Sequence, residues 1–362
     1  RGLGDVYKRQ KENEMNKSTL KTTIEEMNKN ELTQVLNEYI EISKITNFKE
    51  VLKSKTDYEK ILLEKLDEDY ENIKKAYIDF MAEKFYKYSA IFELDQKIFS
   101  DRFKTFIDKL DNNKSKYEIH NFNCHDGHYN ILILEEHKGT KLVGESIKSS
   151  QRISGTMIST LSSNDKIYLY ISTESIPPQY REKTSTSFYV KKIDNMREWI
   201  ETELLTSLVA LDFEYTIECI RKDVEENDLK VSAQSMNING GAKATLDSTG
   251  SQVIILPILD EIKNLLEDNN DLFKESEKGY NLIKNYIDEL EEESELPWVT
   301  LSFNKKTQVK FLFELPTRRD YTLLNYYSGD YIKRQGREEM KNVTKSIISR
   351  YNTFSSDFSG SA

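Results

Sequence analysis

All four histidines of this 362-residue chain, His120, His125, His128 and His137, fall within 18 residues, beside Cys124 and Asp126. Imidazole and carboxylate are ligands for zinc, iron and manganese, so this crowding is the first place to look for a metal centre. Asp126-Gly127 is a two-residue hairpin signal that pairs His125 with His128 and, further down the ladder, Glu118 with Glu135. On that register Glu118, His120, Glu135 and His137 share one face of a β-ladder. They form a candidate site for a divalent metal, zinc or manganese, with a metal-dependent hydrolase or nuclease as the function implied. Opposed carboxylates at 118 and 135 repel, and either imidazolium or a bound ion relieves them. Metal requires neutral imidazole, so added metal is expected to stabilise the hairpin more at pH 8 than at pH 6. The structural alternative is a solvated hairpin end where His and Glu satisfy each other.

The same turn separates Asp126 from Glu136-His137-Lys138 by about 25 Å of strand, so these residues do not assemble a nuclease-type carboxylate and lysine set. Asp212, Glu214 and Glu218 alternate with Phe213, Tyr215, Ile217 and Cys219, the period-2 pattern of a half-buried strand with an acidic face. Such a face is a cation site or simply the wet side of a sheet. Gly240-Gly241-Ala242-Lys243 lacks the glycine spacing and the Lys-Ser or Lys-Thr pair of a phosphate loop and reads as a turn.

A third constellation lies near the C-terminus. Arg318, Arg319, Lys333, Arg334, Arg337, Lys341, Lys345 and Arg350 alternate with Tyr321, Tyr326, Tyr327, Tyr331 and Tyr351. Between 318 and 350 there are eight basic and four acidic residues in a chain of net charge −10. Arg334, Arg337, Lys341 and Lys345 recur at helical steps, so they form a stripe able to follow a phosphate backbone, while Tyr326 and Tyr327 offer stacking surfaces for unpaired bases. Single-stranded nucleic acid is the partner implied; a solvated face paired within the helix is the alternative.

The elements that must position these groups follow from periodicity. Residues 18 to 112 read as helices, most clearly in Leu62, Leu66, Tyr70, Ile73, Tyr77, Met81, Phe85, Tyr88 and Phe92, where every step is three or four. One helix from Asp57 to Glu93 is expected, on the order of 55 Å long, long enough to serve a bundle or a subunit contact and so a homo-oligomer through the helical region. After 113 the pattern turns to short β-like runs, with a helix over 195–211, turns at Asn239-Gly240-Gly241 and Ser248-Thr249-Gly250, a helical pair over 257–294, a hairpin over 299–314 and a last helix over 336–351. The acid-rich run Asp288–Glu295 reads as a solvated helix end. The class is α+β: a helical region over 15–113, then a mixed, largely antiparallel β domain with packed helices over 114–362.

Residues 1–14 are expected to be a non-native leader, since Asp5–Gln10 looks like a translated sequencing adapter and the helical pattern begins after Met15. A charged fraction of 31% with 5 Pro and 13 Gly indicates an ordered, element-rich chain. Two cysteines make no disulfide framework and fit a cytoplasmic setting. The longest apolar run, Val253–Leu259, is too short to cross a bilayer, so no membrane partner is expected. Three functions follow: a non-enzymatic binding or assembly protein touching nucleic acid through the C-terminal segment, a metal enzyme centred on the 118–137 hairpin, and a structural subunit without an active site.

Overall fold

The structure, a computed structural model, describes residues 15–45, 52–111, 118–123, 128–143, 146–181, 185–222, 228–238, 242–247, 262, 265–274, 276–292, 295–304, 307–316, 319–328 and 336–359. The leader, Cys124 to Gly127, the turns at 239–241 and 248–250, and the run 253–259 lie outside these residues. Two compact units share the chain, one formed by 1–211 with 330–345 and the other by 212–329 with 346–362. The boundary expected near 113 falls inside the first unit. The fold class is α+β, with helices leading and antiparallel sheet following.

In the first unit four helices come first: α1 (Lys17–Glu26), α2 (Lys29–Ile42), α3 (Lys55–Glu68) and α4 (Tyr70–Glu83). Their starts are written in the sequence. Asn28 and Glu31 close a reciprocal capping box on α2, and Ser54 with Asp57 does the same on α3. The single helix expected over 57–93 is not formed. Asp69 breaks it with φ −145° and ψ 63°, and Tyr88–Leu94 is a strand, β1. Each fragment still buries its share of the stripe, Leu62 and Leu66 in α3 and Ile73, Tyr77 and Met81 in α4, so that stripe is consumed within the unit and no 55 Å helix is offered for a subunit contact.

After β1 comes a π-helical turn, Phe99–Phe103, then α5 (Lys104–Asp111) and the strands β2 (Glu118–Asn123), β3 (Tyr129–Val143), β4 (Ser146–Ser163) and β5 (Lys166–Thr173). Helix α6 (Ser185–Leu204) and the two-residue β6 (Val209–Ala210) complete the run. All pairings are antiparallel, in the order β2-β3-β4-β5-β1-β6. Asn164 and Asp165, at φ 50° and 58°, close the β4–β5 hairpin in the left-handed region that such a tight turn demands. Helix α4 packs on one face of the sheet, where Gly155 leaves room for Met81 and Tyr86. Helix α6 covers the other, with Tyr189 stacked on Tyr88 at 3.9 Å and Arg197 over the Phe92 ring at 4.9 Å.

The second unit holds α7 (Phe213–Lys222), β7 (Leu229–Ile238), β8 (Ala242–Asp247), α8 (Glu277–Glu292), β9 (Glu295–Phe303), β10 (Thr307–Leu312) and β11 (Leu323–Ser328). Its strands run antiparallel as β8-β7-β9-β10-β11. The β9–β10 hairpin matches the one expected over 299–314. The strand expected at 212–220 is instead helix α7, which buries Phe213, Thr216, Ile217 and Ile220 at helical spacing. The last helix, α9 (Gly336–Ser359), runs eight residues beyond the expected end, and its residues fall in both units. No helix among the described residues is long and apolar enough to cross a membrane.

Gly139 in β3 is a position the packing requires. A Cβ there would lie 2.3 Å from the carbonyl oxygen of Gln179 and 2.8 Å from the Tyr180 ring, and a backbone oxygen cannot move aside cheaply. Gly139→Ala is expected to lower the unfolding free energy by about 1–3 kcal/mol, the usual cost of overpacking, read as a shifted urea midpoint at unchanged slope.

Candidate functional site

The histidine-rich hairpin folds one residue out of the expected register. Glu118 stands opposite Leu134, and His120 opposite Leu132. Because side chains alternate, this single step sends Glu118 and His120 to one face and Glu135 and His137 to the other. The four-residue metal site is therefore not assembled, and the expected pH-dependent metal response loses its basis. Among the described residues no group of three His, Cys, Asp or Glu side chains stands close enough to hold a metal ion. The turn thought to set the register, Asp126-Gly127, lies outside the described residues.

Each half of the broken set has found partners on its own face. Glu118 accepts from His120 Nε2 at 3.1 Å, pairs with Lys74 Nζ at 3.3 Å and accepts the Met15 N–H. Burial pushes its carboxyl up, but His120 and Lys74 outweigh that and its pKa is lowered. Beneath α6, Lys192 Nζ sits 2.9 Å from Glu135 and donates to Ser154 Oγ at 2.8 Å. Ser154 Oγ is also 2.7 Å from His137 Nε2, and Phe188 presents an edge to the imidazole. Burial first, then the charge of Lys192, lowers the His137 pKa from 6.5 to about 4, so the ring is neutral at pH 7.

A serine between an imidazole and an ammonium resembles an activated nucleophile in its bonding. Ser154 is fully buried, however, so no substrate carbon reaches Oγ, and the arrangement is a satisfied polar network in the core.

The open site lies on the α4 side of the sheet. A cleft of about 290 Å³ is lined by Asn28, the residue before α2, Glu31 and Gln34 of α2, Phe80 and Lys84 at the end of α4, Phe85, Lys87, and Glu174 and Ser175 after β5. Glu174 is 3% exposed; its Oε1 accepts the Gly155 N–H at 2.7 Å and its Oε2 meets Lys84 Nζ at 2.5 Å. Burial raises the Glu174 carboxyl, but Lys84, Arg152 and the backbone donor prevail, so its pKa is lowered and it is ionised at neutral pH. Lys84 also reaches Glu31 at 3.6 Å and lies over the Phe80 ring at 5.3 Å. Burial, then the like charge of Arg181, lowers the pKa of the Lys87 amine. Gln34 Nε2 is shut off from solvent and has no hydrogen-bond partner among the described residues.

Glu174 has both oxygens engaged by donors, and Lys84 is held between two carboxylates, so neither is poised as base or nucleophile. None of its polar residues was picked out from the sequence, because Gln34, Lys84 and Glu174 come from three separate elements and carry no local spacing signal; Phe85 was read only as part of a helical apolar series.

The C-terminal basic and aromatic set is dispersed. Tyr326 is fully buried in its sheet, Arg337 is 6% exposed, Tyr327 is half-buried and its hydroxyl accepts from Asn325 Nδ2 at 2.6 Å, and Lys341 is half-buried. Arg319 and Lys345 are exposed; Arg318, Lys333 and Arg334 lie outside the described residues. Tyr326 and Arg337 thus serve cores, because the steps that make a polar stripe also carry an inward-facing position. The acidic triplet is likewise unmade: in a helix Asp212 turns away from Glu214 and Glu218, and Asp212 Oδ1 instead caps α7 by accepting the Glu214 N–H at 3.0 Å. Compared with protein-family models and with curated protein sequences, the chain matches none.

The neutral, buried His137 ties stability to pH. Its folded pKa near 4 lies below the unfolded 6.5, so the unfolded chain binds the proton more tightly. The contribution is complete above pH 6.5 and is lost as pH falls toward 4, by at most about 3 kcal/mol. Urea unfolding at pH 7 and pH 4.5 is expected to show this loss, and His137→Gln to show a smaller one; equal losses in both proteins would assign the acid sensitivity to other groups.

Proposed function

We propose that this chain is a non-enzymatic binding protein whose ligand is a small polar molecule held in the cleft between α2, the end of α4 and the end of β5. The observation that carries this reading is an open cleft of about 290 Å³ that brings the Phe80 and Phe85 rings together with the Lys84 and Lys87 amines. The Lys87 amine, whose pKa burial and the like charge of Arg181 lower, offers donors to a ligand acceptor. Phe80 and Phe85 add flat apolar walls, and the volume is near the lower end of small-molecule pockets, which run from about 300 to 1,000 Å³. The ligand is therefore compact, with one planar apolar portion and a hydrogen-bond acceptor.

A thermal-shift screen with amino acids, nucleosides and small carboxylic acids tests this. One class is expected to raise the melting temperature of the wild-type protein, and Lys87→Met to weaken its binding about tenfold, the loss of one hydrogen bond. Absence of any stabilising class, or equal affinity in Lys87→Met, would overturn the reading.

Contact with single-stranded nucleic acid is the second reading, and the exposed Arg319 and Lys345 favour it. Salt-dependent binding of a random oligonucleotide that weakens in Lys345→Glu would support it, while no binding at low salt would remove it.

A further inference from the structure

The two amines that line the cleft are open to different chemistry. Lys84 Nζ is paired with Glu174 at 2.5 Å and with Glu31 at 3.6 Å, so it is an ammonium held in place. Lys87, the residue before β1, is half-buried in the same lining. Its Nζ lies over the Tyr88 ring at 5.6 Å, a distance at which a ring face holds a cation only weakly. Burial first, then Arg181, which follows the short helical turn Pro178–Tyr180, disfavours the charged form. Desolvation beside another cation is the setting in which a lysine amine becomes a nucleophile toward a carbonyl carbon.

The remaining lining residues select among carbonyl compounds. With Lys87 neutral, the carboxylates of Glu31 and Glu174 outnumber the one ammonium of Lys84, which disfavours an anionic ligand such as a keto acid. Phe80 and Phe85 offer ring surface to an apolar body, and about 290 Å³ leaves room for one ring bearing a short substituent.

We propose that Lys87 captures a small neutral aromatic aldehyde as an imine, the ligand's ring lying against Phe80 and Phe85. The inference rests on the cleft being the binding site and adds the chemical class of its ligand. The Lys87 nitrogen adds to the aldehyde carbon, and the carbonyl oxygen takes up the proton that the nitrogen sheds. Loss of that hydroxyl with the second amine proton, as water, leaves the C=N bond. No electrons pass to or from another reagent, and water reverses the step.

The test treats the intact chain at pH 7 with less than one equivalent of benzaldehyde and with sodium cyanoborohydride, whose hydride turns the imine into a stable secondary amine. Peptide mass spectrometry then locates the benzyl groups. Lys87 is expected to carry most of the label, and the preference is expected to vanish in urea, since the fold creates it. Lys87→Arg keeps the positive charge without the nucleophile and is expected to lose that label while the other lysines react as before. The wild-type map decides the matter even if this variant does not fold. Formaldehyde separates the cleft from simple reactivity: it needs no ring pocket, so the preference for Lys87 is expected to be larger with benzaldehyde. Label spread evenly over the lysines of the wild-type chain, or an equal preference with the two aldehydes, would overturn the inference. Even labelling beside a ligand that stabilises the wild-type protein and not Lys87→Met removes imine capture and leaves the cleft a binding site. Even labelling with no stabilising ligand removes both.

Discussion

The first unit is organised around a carboxylate that ought not to be comfortable where it is. Glu174 is sealed at the end of β5, and a buried charge is tolerated only when it is paired and hydrogen-bonded. Lys84 supplies the charge and Gly155 the backbone donor, so one side chain joins the end of α4 to two strands of the sheet. Lys84 in turn reaches Glu31, the residue that caps α2. Removing either member of such a pair typically costs about 3–5 kcal/mol, because the survivor is left buried and alone. The positions of α2 and α4, and therefore the shape of the cleft, depend on this linkage more than on any one apolar contact.

What the sequence made legible was local. The β9–β10 hairpin and the last helix follow from signals within a few positions, and each forms. The errors have one physical source, which is that two periods share spacings. Tyr88 and Phe92 are four apart, which is one helical repeat and also two strand repeats, so the helical series ran on into a strand. In α7 the reverse happened: Phe213 and Ile217 satisfy both patterns, and only the burial of Thr216 and Ile220 separates them. Nothing within Tyr70–Phe92 states where the backbone will turn.

The candidate sites failed for a related reason. A register is fixed by the whole hydrophobic pattern of a ladder, and one residue of slip exchanges the faces. Ile131, Leu132, Ile133 and Leu134 are buried on both sides of the sheet, so β3 carries no alternation to betray which of its faces receives Glu135. The partners that were found there, Ser154 and Lys192, are 19 and 57 positions away from Glu135 and could not be named in advance. Arg337 was recognised as a residue suited to phosphate, but its surroundings, the rings of Tyr86 and Tyr170 and the hydroxyl of Ser159, belong to the core.

The chain order of the first unit bears on its synthesis. Tyr86 donates its backbone N–H to Met340 Sδ, a contact spanning 254 positions, and the unit lacks residues 330–345 until the intervening residues 212–329 have been made. At about 5–20 residues per second, translating the segment between residues 211 and 330 takes on the order of 10 s. For that interval the sheet face around Tyr86 and Tyr170 waits without its final helix, long after its own strands could have paired. Chaperones, ions and water therefore meet this surface first, and the ribosome decides how long they have before Arg337 arrives to displace or enclose them.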